Sequence, residues 1–321
     1  MKAIARHSKA TLARWCGDGS AFETGTDGPV MMNTILQIVA DGVLLGLIYA
    51  IAALGLSLVL GIMGIINVAH SAFIMLGAFF ALELFEHLHV DPIISFMLSI
   101  PFFFVVGAIV FQIIVRRMVA SEQNQGLVAM FGLMVLIENV GTIVWTTNTR
   151  VVTTPYSYFQ VSFGLLTVPA VRVIVGLLAL GLIAGFWLFL NRTLTGRAIR
   201  AIGQDSNAAV AVGINVQRLS MVMFGLGIAS AGAAGVVIAM IFPFAPQTQI
   251  EWLSWAFLIV ILGGFGRVEH TLAAALLTGL IQSVATALLP FDYVYLLLYV
   301  ALAAVLVVRR EGLRGEIRRT I

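Results

Sequence analysis

The chain has 321 residues, of which 60% are hydrophobic and only 10% are charged, and its mean hydropathy is +1.05. Soluble domains are ~45–50% apolar and ~25% charged, so this balance argues against a soluble enzyme, a disordered protein and a nucleic-acid-binding domain. A single cysteine, Cys16, excludes an intrachain disulfide and a multi-cysteine metal site. The composition predicts an all-α fold, a polytopic integral membrane helical bundle surrounded by membrane lipid.

Residues 1–30 differ from the rest of the chain and are predicted to be a polar N-terminal extension. They contain four basic residues followed by a stretch rich in Gly, Asp and Thr, with no apolar core before Val30. A secretory signal peptide needs such a core, so the segment is interpreted as a short disordered tail or as a misread start codon. Met31 and Met32 stand where the hydrophobic pattern begins, which favours the second interpretation.

Residues 31–310 form the predicted transmembrane domain, with eight or nine crossings separated by short polar or Pro/Gly breaks. Two runs contain glycines and polar residues that would interrupt a helix, GIMGIINVAHS (61–71) and GGFGR (263–267). These are predicted to be broken or re-entrant segments. The predicted spans lie near 34–60, 62–85, 93–115, 127–146, 170–190, 219–242, 253–262 continuing into 271–289, and 293–308.

Arginines set the predicted orientation. They cluster after the third predicted span, between the fifth and sixth, and after the last. Placing all three clusters in the cytoplasm agrees with the positive-inside rule, so the C-terminus and the basic tail 311–321 are predicted to be cytoplasmic. With nine crossings, the basic extension would then lie on the unfavourable side. The clusters comprise Arg116, Arg117, Arg192, Arg197, Arg200, Arg218, Arg309, Arg310, Arg314, Arg318 and Arg319.

The segment 193–219, TLTGRAIRAIGQDSNAAVAVGINVQRL, is the longest polar connection between predicted spans on the arginine-rich side. Its apolar residues recur with the spacing of short amphipathic helices, with Gly203 and Gly213 as breaks. Reversing the chain direction needs only a few residues, so this 193–219 loop is predicted to be a docking surface for another protein. The alternative is an amphipathic connector that lies on the membrane surface.

TGRAIRAIGQDSNAAVAVGIN resembles the coupling signature of ABC-importer permeases, and in particular the LivH-type branched-chain amino acid permeases. GLIYAIAALGLSLVLGIMGIINVAHSAFIMLGAF (46–79), ILGGFGRVEHTLAAALLTGL within 259–280, and RREGLRG (309–315) agree in order and spacing. The sequence departs from the family pattern at Ser71, Arg267, His270, Thr271 and Arg310. The resemblance implies that the ATPase-coupling residues are Gly196, Arg197, Ala198, Arg200, Ala201, Asp205, Ala208, Ala209, Gly213 and Ile214.

The resemblance also implies the partners of the chain. They are two cytoplasmic ABC ATPases, a second related permease of the LivM type and a periplasmic solute-binding protein, assembled at the bacterial inner membrane. No lysine follows Lys9, and a P-loop needs one to reach the phosphates. The chain itself is therefore expected to bind no cofactor, with ATP used by the partner ATPases.

Four polar residues at membrane depth are candidates for a translocation pathway: Asn67, His70, Glu138 and Asn139. Asn67 and His70 belong to the first predicted break, and half-helix ends are recurrent binding devices in transporters. The alternative is that both side chains only cap the break. The Glu138 carboxylate could pair with a substrate ammonium, or be protonated or bonded to a neighbouring residue.

No enzyme active site is predicted, because the five histidines are scattered and no metal-ligand spacing occurs. The expected function is the permease subunit of an ATP-driven importer for branched-chain amino acids or related small polar solutes. The alternative is a stand-alone secondary transporter or channel, which would need more intramembrane charges than Glu138 alone. Aliphatic amides and urea remain open as solutes beside leucine-type amino acids.

Overall fold

The computed structural model describes residues 28–118, 123–164 and 166–308. The predicted tail 311–321, the RREGLRG motif and residues 1–27 of the predicted extension lie outside these ranges. The described helices are α1 Gly28–Met63, α2 His70–Leu88, α3 Pro92–Val110, α4 Gln123–Trp145, α5 Ala170–Arg192, α6 Leu194–Gln204, α7 Ser206–Ala211, α8 Val216–Ile241, α9 Gln249–Gly263, α10 Val268–Leu288 and α11 Phe291–Val308.

Seven helices within the described ranges are long and apolar enough to cross a membrane, which confirms the polytopic helical bundle. α9 has 15 residues, a length of ~22 Å against a hydrocarbon core of ~30 Å. The sequence predicted eight or nine crossings, and α9 and α11 together would bring the seven to nine. The seven are Met32–Met63, His70–Leu88, Pro92–Val115, Gly126–Trp145, Ala170–Arg192, Val216–Ile241 and Val268–Leu288.

The chain divides after Leu36 into two units, and every contact discussed below lies within Gln37–Ile321. The core of this unit is α8, in which all residues from Met223 to Met240 except Leu226 are buried. The central part of α1, Ile48 to Val59, is buried throughout. Hydrophobic burial cannot drive helices together in lipid, so this core depends on close packing.

Glycines let the backbones around α8 approach closely. A β-carbon on Gly77 of α2 would lie 2.1 Å from the carbonyl oxygen of Gly232, and one on Gly55 of α1 would lie 2.4 Å from that of Gly227. Such separations leave no room for any side chain. The neighbours of α8 are therefore fixed at backbone-to-backbone distance.

Two further features were not predicted from the sequence. α3 continues through a π-helical turn, Phe111–Val115, into a final α-helical turn, Arg116–Met118. Between α4 and α5, strands β1 Gln160–Phe163 and β2 Leu166–Pro169 form an antiparallel hairpin in which Gln160 pairs with Pro169.

A 3-10 turn, Pro155–Tyr158, precedes the hairpin. Tyr156 in this turn donates a hydrogen bond to Asp91 Oδ1 at 3.2 Å, and burial raises the pKa of Tyr156 to about 12.

Candidate functional site

The first break, residues 64–69, separates α1 from α2 as the sequence predicted. Gly64 starts it with a φ of 65°, and His70 opens α2 with its Nε2 2.8 Å from the carbonyl oxygen of Ala52. Asn67 is fully buried, and neither of its amide atoms has a hydrogen-bond partner among the described residues; the same holds for Nδ1 of His70. A buried polar atom without a partner costs free energy. Asn67 in the first break and His70 directly after it, both predicted pathway residues, therefore carry three buried polar atoms without a partner among the described residues.

The second break, residues 264–267, separates α9 from α10. Gly264 and Gly266 have φ angles of 80° and 78°, a backbone region that glycine adopts without a steric cost. The amide of Gly266 donates to the backbone oxygen of Ser57 at 3.0 Å, and the Thr271 hydroxyl donates to Ser57 Oγ at 2.8 Å. Thr271, a departure from the family pattern, thus ties the second break to α1.

The end of α1 meets the second break. A β-carbon on Gly61 of α1 would lie 2.2 Å from the amide nitrogen of Gly266, so the backbones of α1 and the second break touch directly. Gly61 stands three residues before the first break. The end of α1 therefore connects the two interruptions.

Three identical residues recur in and directly after the two breaks at an offset of 200 positions, a correspondence that the sequence prediction did not use. They are Gly64 and Gly264, Val68 and Val268, and His70 and His270. Paired interruptions in the two halves of a transporter are a pointer to its binding region.

Glu138 and Asn139 are separated by the geometry of α4. Glu138 is half-buried, and its Oε2 accepts a hydrogen bond from Gln249 Nε2 of α9 at 2.7 Å. Asn139 lies on an exposed face and donates to Val135 of its own helix. The structure thus places Glu138 beside another helix and turns Asn139 away from it. Gln249 is a polar neighbour that the sequence did not reveal.

Glu138 and Gln249 lie in a cleft between α4, α2 and the start of α9, here called the α4 cleft. It is open to the surface, and its ≈ 200 Å³ of empty space includes open solvent. The rings of Phe79 and Trp145 stack with centroids 4.4 Å apart, and Trp145 Nε1 donates to Glu83 at 2.5 Å. Gln249 is fully buried, and its Oε1 has no hydrogen-bond partner in the part of the chain that the structure describes. The lining is Met75, Leu76, Phe79, Ile137, Glu138, Gly141, Trp145, Pro246 and Gln249.

The 193–219 loop folds into short helices, as its pattern predicted, namely α6 and α7. The break predicted at Gly203 is wrong, because Gly203 lies inside α6 and the two helices are separated at Asp205. Each begins at a side-chain cap. Thr193 Oγ1 accepts from the amide of Gly196 at 2.9 Å, and Asp205 Oδ1 accepts from the amides of Asn207 and Ala208 at 2.9 and 3.0 Å. After α7 the chain turns at Gly213, with a φ of 84°. Local hydrogen bonds thus fix the shape of the loop.

Burial divides the predicted coupling residues into three groups. Gly196 and Ala209 are buried, and a β-carbon on Gly196 would lie 2.2 Å from the carbonyl oxygen of Phe189, so these two position the loop against the bundle. Ala198, Ala201 and Ile214 are half-buried. The remaining members are exposed, namely Arg197, Arg200, Asp205, Ala208 and Gly213.

The 193–219 loop also touches the end of α1. A β-carbon on Gly203, near the end of α6, would lie 3.4 Å from Ile62 Cγ1. Ile62 is next to Gly61, which contacts the second break. A continuous contact path therefore leads from the loop through Ile62 and Gly61 to Gly266, and Ile62 was not predicted as a functional residue.

Comparison with known proteins identifies the family of the chain. Residues 38–306 match the family model described as branched-chain amino acid transport system / permease component. The chain belongs to this family. The match includes both breaks, the α4 cleft and the whole 193–219 loop. A permease component is a transport subunit, and the family resemblance seen in the sequence is confirmed.

Curated members of the family align with most of the chain. The high-affinity branched-chain amino acid transport system permease protein LivH of Escherichia coli (strain K12) is 28% identical over 301 residues, covering 88% of this chain and 96% of LivH. BraD of Pseudomonas aeruginosa, a permease protein of the same kind of system, is 24% identical, with the same coverage of both chains. A probable LivH of Methanocaldococcus jannaschii is 24% identical over 78% of this chain and 81% of its own length. No solved structure matches the chain.

Proposed function

We propose that this chain is the membrane-spanning permease subunit of an ATP-driven importer that carries branched-chain amino acids delivered by a periplasmic binding protein. Family membership over residues 38–306 is the observation that supports this most strongly. The LivH and BraD relatives are named as permeases of high-affinity branched-chain amino acid transport systems. The proposal extends their named solute to this chain.

The proposed assembly contains two cytoplasmic ABC ATPases and a second related permease of the LivM type in the bacterial inner membrane. ATP is hydrolysed by the ATPases, and this chain binds no cofactor. The 193–219 loop supports this division, because its exposed residues form a structured surface outside the bundle. A partner ATPase could bind to that surface.

The proposed mechanism is alternating access. ATP binding closes the ATPases and moves the 193–219 loop, and the contact of Gly203 with Ile62 carries the movement to the end of α1. The two breaks then change their packing, because Gly61 and Gly266 touch. Movement at this point would alter the surroundings of Asn67 and His70, two of the proposed pathway residues.

The proposal requires the 193–219 loop to lie in the cytoplasm, and cysteine labelling tests this orientation. In a chain with Cys16 changed to serine, Arg200→Cys should resist an impermeant thiol reagent in intact cells, whereas Thr153→Cys should react. Both native side chains are exposed in the structure, so a difference reports sidedness and not burial. Permeabilised cells provide the control, in which both cysteines should react. Labelling of Arg200→Cys from outside would contradict the cytoplasmic loop.

Copurification tests the subunit composition. A tagged form of this chain, extracted in a mild detergent, should bring down an ATPase with a P-loop and a second permease, both identified by mass spectrometry. A stand-alone secondary transporter or channel would purify without them. Recovery of the chain alone from several detergents would favour that alternative.

A further inference from the structure

The end of α5 at the 193–219 loop has the side chains of a membrane interface. Trp187 and Leu188 are 36% and 50% exposed, and Arg192 ends the helix shortly after them. Leu194, which begins α6, is 77% exposed. Tryptophan and basic residues are enriched where a transmembrane helix leaves the hydrocarbon core. The composition therefore places this end of α5 at the level of the lipid headgroups.

Hydrogen bonds join this end of α5 to α6 and α10. Trp187 Nε1 donates to Glu269 Oε1 at 2.7 Å, and Arg200 of α6 donates to the side-chain oxygen of Asn191. Arg267 directly precedes α10, two residues before Glu269. The meeting point of the three helices, here called the α5 junction, therefore carries three exposed guanidinium groups, those of Arg192, Arg200 and Arg267.

The positive charge of the α5 junction is not neutralised by the residues that the structure describes. Two salt bridges occur among these residues, and neither involves an arginine of the junction. Glu269 supplies a negative charge, but its Oε1 already accepts the hydrogen bond from Trp187. Each guanidinium group has five N–H donors. The α5 junction therefore keeps an excess of positive charge together with free hydrogen-bond donors.

The direction of Arg200 favours a ligand at the membrane over one in the cytoplasm. Its guanidinium group donates to Asn191, the residue before the end of α5, and so is held back toward the membrane span. Phosphate oxygens accept paired hydrogen bonds from guanidinium groups. The cytoplasmic leaflet carries anionic lipids, and basic pockets between transmembrane helices on that side bind their headgroups. An anionic phospholipid thus complements the α5 junction in both charge and depth.

We propose that the α5 junction binds the headgroup of an anionic phospholipid. Arg192, Arg200 and Arg267 donate hydrogen bonds to its phosphate, and Trp187 packs against its glycerol and the start of an acyl chain. Because Arg200 belongs to the 193–219 loop and Arg267 to the second break, the bound lipid holds these two segments beside α5. The inference goes beyond the import function, since it does not depend on which solute is carried.

Lipid-selective quenching in the assembled transporter tests the site. In a chain with Cys16 changed to serine, Leu188→Cys carries an NBD fluorophore, and the complex with cysteine-free partner subunits is reconstituted in nanodiscs. The probes are phosphatidylglycerol and phosphatidylcholine, each with a doxyl quencher on an acyl chain and each at the same minor fraction of the lipid. Association at the label should favour phosphatidylglycerol by about tenfold or more, as expected for hydrogen bonds to charged groups.

Charge variants identify the groups that select the lipid. Arg192→Gln combined with Arg267→Gln should bring the preference close to equality, while unchanged quenching by phosphatidylcholine shows that the label keeps its surroundings. Arg117→Gln, at an exposed arginine of the turn that follows α3, is the matched control and should keep the preference.

Three results would each overturn the lipid site. They are equal quenching by both lipids in the unaltered complex, a preference that survives the double change, and an equal loss of preference in Arg117→Gln. A preference that appears only when the ATPases are absent would assign the arginines to the ATPase contact and overturn the site as well. None of these results bears on leucine uptake, so failure of the lipid site leaves the import function standing.

Discussion

Replacing Gly61 by alanine is expected to reduce uptake by about tenfold or more and to lower the apparent Tm of the permease. The added methyl carbon would lie 2.2 Å from the amide of Gly266, so α1 and the second break must separate. That movement breaks the bond between Gly266 and the Ser57 carbonyl, and overpacking of a fitted contact costs ~1–3 kcal/mol. The measurements are leucine uptake in vesicles and thermal unfolding in detergent.

Gly185→Ala in α5 is the matched control, because nothing lies within 4 Å of a β-carbon at that position. Both variants replace a helical glycine by alanine, so the change in helix propensity is the same. It should leave uptake unchanged. If Gly61→Ala has the same uptake and the same apparent Tm as the control, the contact between Gly61 and Gly266 does not matter for transport or stability. The proposed route from the loop to the breaks would then be wrong.

Replacing Val212 by glutamate is expected to separate the permease from its ATPase. Val212 follows α7, and its side chain is 77% exposed, so it does not support the fold of the loop. At an interface, an unpaired carboxylate would have to be desolvated, which costs several kcal/mol, and each 1.4 kcal/mol is tenfold in affinity. ATPase copurification and uptake should each fall by about tenfold or more.

Val151→Glu provides the control on the opposite face of the proposed topology. Val151 is also an exposed valine, at 49%, and it is separated in the chain from the 193–219 loop by the whole of α5. ATPase copurification should be normal in this variant. Normal copurification with Val212→Glu would mean that the loop is a connector, as the alternative interpretation of its sequence holds.

Local patterns made most of the helices predictable. Long apolar runs marked the spans, and glycines with polar neighbours marked both breaks. The predicted break at Gly213 follows α7, whereas the cap Asp205 between α6 and α7 was not predicted. Each of these features depends on residues close together in the chain, so the sequence carries the information directly. The four-residue strands of the hairpin were too short for such a pattern.

Contacts between distant residues were not predictable in the same way. Glu138 and Gln249 are 111 residues apart, and Ser57 and Thr271 are 214 apart, so no periodicity joins them. The facing direction of Asn139 was also open, because an apolar helix in lipid has no polar side to mark its exterior.

Reconstituted transport tests the central claim most directly. Vesicles are prepared with this chain, its related permease and the ATPases, with ATP enclosed and binding protein plus radiolabelled leucine outside. The account predicts that leucine accumulates against its gradient only when both ATP and binding protein are present. Leucine uptake by this chain alone, independent of ATP and ending when the gradient is dissipated, would contradict it and identify a carrier or channel.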